Sequence, residues 1–302
     1  MDFKKGQGGL EYLLIIAGAM VVSAMVLSFL GNVGTNTDTE NQMHQAKCQV
    51  YPNETLCSIA DFDGDGIKDC YWKDSQCKYN SLLKGLVFLY SFELEDAHHE
   101  TTIVDVSSNN NNGVLRTYDG NENKIIEGKR GNALLLTDSS DYIILPVSQT
   151  IIKTLQKHDF SFSAWVWFND DSDEDRGIIA IGTNGAYQHL HILRRNQKIA
   201  FAFYSDGGLY MGNRILSSGK WWHITCTWDS KNMLKKIYVN GELDKTFDLT
   251  NHNQLNIPDN PEQHVIGKYW GGSITGKIDE VALWNRVLSE EEVQRLYSKG
   301  IT

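Results

Sequence analysis

The sequence predicts a mainly β protein in which an N-terminal apolar α-helix precedes a small cysteine-rich module and a large β-sandwich. Three observations predict it. An uncharged apolar run extends from Tyr12 to Leu30, close to the ~20 residues that cross a bilayer as a helix. Four of the five cysteines, Cys48, Cys57, Cys70 and Cys77, crowd into one short segment. From Leu86 onward, short runs of period-two alternation are separated by Gly, Asn and Asp, the pattern of half-buried strands joined by turns. The 302 residues carry eight tryptophans, four prolines and a net charge of −10. A chain this acidic lacks the basic face that neutralises phosphates, which excludes a general nucleic-acid binder and leaves cation binding open.

Lys4 and Lys5 precede the apolar run and favour an N-inside orientation, placing everything after Leu30 outside the cell. A secretory signal has a shorter apolar core followed by a small-residue cleavage site. Here the run is long and Glu11 stands at its start. A carboxylate at the edge of an apolar helix is costly unless paired, although the helix N-terminus itself favours negative charge. The string Lys4-Lys5-Gly6-Gln7-Gly8-Gly9-Leu10-Glu11-Tyr12 resembles the class III signal peptide of archaeal type IV pilin-like proteins. That resemblance implies a prepilin peptidase cutting between Gly6 and Gln7. It makes residues 1–6 a leader and residues 7–34 a pilin-like hydrophobic helix. Glu11 then pairs with the new α-amino group of a neighbouring subunit. The expected location is the cell membrane with an extracellular head, either within a filament of pilin-like subunits or as a single anchored copy.

Residues 35–83 read as a stalk and a cysteine-rich calcium-loop segment. Outside the cell, the four close cysteines form two disulfides with three pairings open; none of their spacings fits the CxxC-like pairs of a zinc site. Asn53-Glu54-Thr55 is a glycosylation sequon. In Asp61-Phe62-Asp63-Gly64-Asp65-Gly66-Ile67-Lys68-Asp69, carboxylates occupy loop positions 1, 3, 5 and 9, with Gly at 6 and the Ile67 carbonyl at 7. That is the donor set of a hard, oxygen-seeking cation. The string resembles the calcium loops of thrombospondin type 3, dockerin and EF-hand proteins, departing from them at position 12, where Trp72 stands.

In residues 84–302, Phe160–Phe168 alternates with period two, and Ile224, Cys226 and Trp228 share one face opposite Thr225 and Thr227. Cys226 on that inward face is expected to be a buried free thiol. Lys236–Val239 runs into Asn240-Gly241, the strongest short hairpin signal. Ser289 with Glu292 is a capping box that opens a C-terminal helix. Several strings, in order, resemble the concanavalin A-like, laminin G-like jelly-roll family. They include Leu89-Tyr90-Ser91-Phe92, Asp105-Val106-Ser107-Ser108-Asn109, Gly131-Asn132-Ala133-Leu134, Phe162–Val166, Ile237–Glu242 and Gly276–Val281 before Asn285-Arg286-Val287-Leu288-Ser289. The resemblance implies a jelly-roll β-sandwich and a structural calcium held by Asp105, Asn109 and Asp279.

Trp165 and Trp167 share a strand face and are expected in the core. Tyr269 and Trp270 beside Gly271-Gly272 are candidates either for stacking on a sugar or for packing. The run Asp170–Asp175 reads as a solvated loop. The chain carries neither an HExxH nor a GxSxG pattern, and its acids cluster in cation-type loops rather than flanking one bond. The expected function is therefore not catalytic. It is a minor or tip pilin-like adhesin whose sandwich binds a glycan or another surface polymer. The alternatives are a structural subunit whose sandwich makes protein–protein contacts and, behind it, a cell-surface glycan-active enzyme, since some hydrolases and lyases share this jelly roll.

Overall fold

The computed structural model describes residues 44–49, 51, 57, 70–73, 75–93, 101–117, 124–204, 210–270 and 272–301. The leader with Gly6 and Gln7, the apolar helix with Glu11, the sequon at Asn53 and the cation loop with Asp61, Asp63, Asp65, Ile67 and Asp69 lie outside them. Among the described residues no helix is long and apolar enough to cross a membrane. The chain divides into two compact units, Met1–Leu83 and Lys84–Thr302.

The first unit is held by disulfides Cys48–Cys70 and Cys57–Cys77. Strands β1 (Cys70–Lys73) and β2 (Gln76–Tyr79) form an antiparallel hairpin. Gln45 bridges to β2, its amide donating to the Cys77 carbonyl and its oxygen accepting from the Tyr79 N–H. His44 stacks on Tyr79 at 4.6 Å. Four buried sulfurs replace the apolar core that a segment this short cannot build.

The second unit is a two-sheet β-sandwich. Its elements in chain order are β3 (Leu86–Tyr90), β4 (Thr102–Ile103), β5 (Gly113–Arg116), β6 (Ile125–Glu127), β7 (Asn132–Leu136), β8 (Tyr142–Ile144), α1 (Gln149–Thr154), β9 (Phe160–Phe168), β10 (Arg176–Gly182), β11 (His189–Arg195), β12 (Lys198–Phe203), β13 (Trp221–Asp229), β14 (Leu234–Val239), β15 (Glu242–Asp248), β16 (Gln263–Ile266), β17 (Lys268–Tyr269), β18 (Gly272–Ser273), β19 (Gly276–Trp284) and α2 (Glu290–Lys299). Sheet I runs β15-β14-β13-β9-β19-β7-β6, with β3 also on β19; sheet II runs β12-β11-β10-β16-β8-β5-β4, with the β17–β18 hairpin attached to β10.

Alternation sets the faces. On β9, Phe160, Phe162, Ala164, Val166 and Phe168 enter the core, and on β13 Trp222, Ile224, Cys226 and Trp228 do the same. Sheet II answers with Ile179, Ile181, Leu190, Ile192, Phe201 and Phe203. Each large side chain removed from water there contributes about 1.5–3 kcal/mol. Cys226 is the buried free thiol that the alternation predicts. Asn240 and Gly241 take φ +53° and +79°, the doubly left-handed turn that an Asn-Gly hairpin supplies. Ser289 Oγ accepts from the Glu292 N–H and Glu292 returns the bond to Ser289 N–H, closing the predicted capping box.

Trp165 and Trp167 correct an expectation. They belong to the other face of β9, with Ser161 and Ser163, because the core register is taken by the Phe-Phe-Ala-Val-Phe row. Trp165 is nevertheless buried, since α2 lays Tyr297 against it at 5.5 Å and His223 flanks it at 4.9 Å. Trp167 is half-buried beside Trp221, at 5.9 Å. The Asp170–Asp175 run is likewise not simply solvated. Asp170 pairs with Arg176 and Arg194, Glu174 with Arg176, and Asp175 with Arg195. Burial works to raise the Asp170 pKa, but hydrogen bonds from Ser172 and Arg176 bring it down to about 2.

Candidate functional site

On the outward face of sheet II, aromatic side chains are both ordered by neighbours and open to solvent. Cross-strand register puts His189 and Gln263 on either side of Gly182, and His191 and Val265 on either side of Ala180, with Ala202 next to His191. The small residues in these rows leave the face low. The β17–β18 hairpin folds back over it, and its approach needs Gly177: a Cβ there would stand 2.4 Å from the Tyr269 nitrogen.

Trp270, at the tip of that hairpin, stacks on His189 with 4.2 Å between centroids and 9° between planes. Tyr269 lies 5.1 Å from His191. Trp270 keeps 44% of its surface exposed and Tyr204 keeps 37%. The Tyr204 ring meets Trp270 edge-on at 6.4 Å and 86°. The pair makes a flat floor with an upright aromatic wall. Arg195 and Asp175 form a two-bonded ion pair on the same side, and both charges act on Tyr269, whose phenol is raised first by burial.

Beneath the floor runs a chain of hydrogen bonds. His189 Nε2 meets Gln263 Oε1 at 3.1 Å and His189 Nδ1 meets His191 Nδ1 at 3.3 Å. Because the Gln263 oxygen only accepts, His189 carries its hydrogen on Nε2, and His191 Nδ1–H donates to His189 Nδ1. Burial lowers the pKa of His189 to about 4 and of His191 to about 3, so both are neutral at pH 7.

Of the residues expected to bind, Tyr269 and Trp270 are thus brought together with each other. His189, His191, Tyr204 and Gln263 escaped the sequence reading. The His-Leu-His spacing on an alternating strand marks two histidines on one face, but nothing in the spacing tells which distant aromatic covers them.

The residues expected to hold calcium separate. Asp105 Oδ1 accepts from the Leu89 and Ser107 N–H groups, and Oδ2 from Ser107 Oγ and Asn111 N–H. Asn109 turns its amide nitrogen inward, donating to the Leu86 carbonyl at 2.8 Å. Asp105 and Asn109 therefore lock a loop through hydrogen bonds, and a cation would have to displace these donors. Asp279 is different. It sits at a β-bulge, where Glu280 takes φ +49°. Its Oδ2 accepts from the Lys129 and Arg130 N–H groups at 2.9 Å, while its Oδ1 is buried without a hydrogen-bond partner. Burial raises its pKa to about 8. Asp279 therefore keeps one buried carboxylate oxygen without a hydrogen bond, while both oxygens of Asp105 are taken.

A model of the concanavalin A-like lectin/glucanase superfamily matches residues 137–294, just over half of the chain. The chain belongs to the concanavalin A-like lectin/glucanase superfamily. Within this superfamily it is similar to the pentraxin-related protein PTX3 of Homo sapiens, 26% identical over 145 residues, and to that of Mus musculus, 24% identical over 144 residues. Each match takes in 44% of this chain and 38% of the relative's length. Among solved structures, the binding domain of Paraclostridial Mosquitocidal Protein 1 superposes with a TM-score of 0.56 at 19% identity, covering 72% of this chain and 52% of that one. Domain 4 of AbnA, an extracellular arabinanase from Geobacillus stearothermophilus in complex with arabinotriose, superposes at 0.54 and 21% identity, covering 70% of this chain and 98% of that one. The receptor-binding domain of a botulinum neurotoxin C/D mosaic serotype superposes at 0.54 and 18% identity, covering 70% and 51%. These structural likenesses establish the superfamily's sandwich in this chain.

Proposed function

We propose that residues 84–302 form a non-catalytic binding module for a neutral oligosaccharide or surface polymer, carried outside the cell by the N-terminal segment. The observation that carries this reading is Trp270, whose indole is backed on one side by His189 and 44% exposed, with Tyr204 standing at right angles. Sugar rings present C–H faces that pack on such a surface. The nearby Arg195–Asp175 pair offers both donors and acceptors to hydroxyl groups without adding net charge. Asp175 is tied to Arg195 by two hydrogen bonds rather than free to act as an acid or base, which supports binding over catalysis. That AbnA domain 4 is complexed with arabinotriose makes short arabinan chains a reasonable first probe.

In the same reading the chain is a minor or tip pilin-like adhesin. A prepilin peptidase cuts between Gly6 and Gln7, Glu11 pairs with a neighbouring subunit, and the helix remains in the membrane or in a filament. A head of this size packs poorly around a tight helical core, which favours a tip or minor position. Calcium is held by the Asp61–Asp69 loop and at Asp279, in a structural role. The test of binding is a glycan panel that includes arabinotriose, probed with the full chain in detergent, with and without calcium. Binding weakened about tenfold by Trp270→Ala supports the reading. No binding to any glycan overturns it and leaves a structural subunit that works through protein–protein contacts. Mass spectrometry of the native N-terminus tests the anchor: a first residue other than Gln7 removes the pilin-like part.

A further inference from the structure

The floor beneath Trp270 is not apolar, as packing alone would make it. It is a pair of buried histidines in hydrogen-bonded series with Gln263. We propose that the His189–His191–Gln263 chain positions the Trp270 platform, holding the indole flat while both imidazoles are neutral and releasing it, with any bound ligand, when His189 takes up a proton. This deepens the reading of Trp270 as the binding surface and rests on it for the ligand.

The argument is one of donors and acceptors. His189 Nδ1 is the acceptor of the His191 N–H, and His189 Nε2–H is spent on Gln263. A second proton on His189 can go only to Nδ1, where it faces the His191 N–H across 3.3 Å. While His191 keeps its hydrogen on Nδ1, the two rings then part, and the indole stacked on His189 moves with them. An indole face attracts a cation by ~0.5–2 kcal/mol. That is less than the several kcal/mol of burying an uncompensated charge together with the lost hydrogen bond.

The charged surroundings do not offset this. Among the described residues, Arg195 on β11 and Lys235 on β14 both oppose a positive charge on His191, and each histidine opposes the other. Glu262, just before β16, and the Gln263 hydrogen bond favour charge on His189, but burial outweighs both. Asp175 is held by Arg195, and burial raises the Tyr269 phenol, which stays neutral across the acid range.

The experiment uses the full chain in detergent and reads Trp270 emission as the difference between the wild type and Trp270→Phe, from pH 7 downward. An indole released from the stacked imidazole meets water, and its emission shifts to the red. The expected result is a red shift with a midpoint near the His189 value of about 4, with the far-ultraviolet circular dichroism of the sandwich unchanged. Gln263→Glu puts a carboxylate on His189 Nε2–H and is expected to move the midpoint up by about one pH unit or more. His189→Gln is expected to remove the transition. A flat profile in the wild type, or an unmoved midpoint in Gln263→Glu, overturns the proposal. Where the glycan panel yields a ligand, its Kd is expected to rise up to about tenfold per pH unit below the same midpoint; a pH-independent Kd also overturns it. If no glycan binds, the binding reading fails while the emission arm still decides the positioning chain.

Discussion

The imidazole of His189 lies parallel beneath the indole of Trp270, with 4.2 Å between their centroids. One residue comes from β11, beside the edge strand of sheet II, and the other from a hairpin far along the chain. Their contact turns an exposed tryptophan from a mobile side chain into a surface of fixed orientation.

Trp270→Ala should lower glycan affinity about tenfold, the scale of one lost aromatic contact. Because Trp270 is 44% exposed, the melting temperature should change little. Titration calorimetry with a thermal melt on the same sample checks both. A collapse in stability together with affinity would show Trp270 to be a packing residue.

His223 sets an acid limit on the fold. Its Nε2 bonds Ser163 Oγ at 2.9 Å, its Nδ1 is buried without a partner, and burial lowers its pKa to about 3. The unfolded chain takes up this proton near pH 6.5 and the folded one does not. Stability from this group is therefore complete above pH 6.5 and falls as the pH drops from there toward 3. His223→Gln should flatten that part of the melting-temperature curve relative to the wild type. Parallel curves in wild type and variant would contradict it.

Asp279 acts with the opposite sign. Its pKa is raised to about 8 by burial, so the stability it confers is complete below 3.8 and is lost as the pH rises toward 8. Asp279→Asn retains an acceptor for the Lys129 and Arg130 N–H groups. It should raise the melting temperature at pH 8 without calcium and shrink the gain that calcium brings. An equal calcium effect in both proteins would place the cation elsewhere.

The cysteine-rich unit should give only two cross-linked peptides on non-reducing digestion, Cys48–Cys70 and Cys57–Cys77. Replacing Cys48 and Cys70 together by Ser should cost about 2–4 kcal/mol in that unit. Limited proteolysis of residues 44–83 reads the loss. Either of the other two pairings in the digest would refute the interleaved arrangement.

What the sequence by itself determined was local. Alternation on Phe160–Phe168 and on Ile224–Trp228 marked the strands and their inward faces, since a strand side chain has only two directions available. Asn240-Gly241 marked a hairpin and Ser289 with Glu292 a helix start, because the hydrogen bonds that make them lie within a few residues. The burial of Cys226 followed from the same period of two. Tertiary structure decided everything that depends on which elements meet. It took Trp165 out of the main core yet buried it, because α2 covers the outer face of β9. It paired the acids of 170–175 with three arginines on two strands. It gave Asp105 four donors and left one oxygen of Asp279 with none. Above all it placed His189 and His191 under Trp270. A period of two says which side of a sheet a residue faces, but only the closing of the sandwich and the return of the β17–β18 hairpin decide what it faces there.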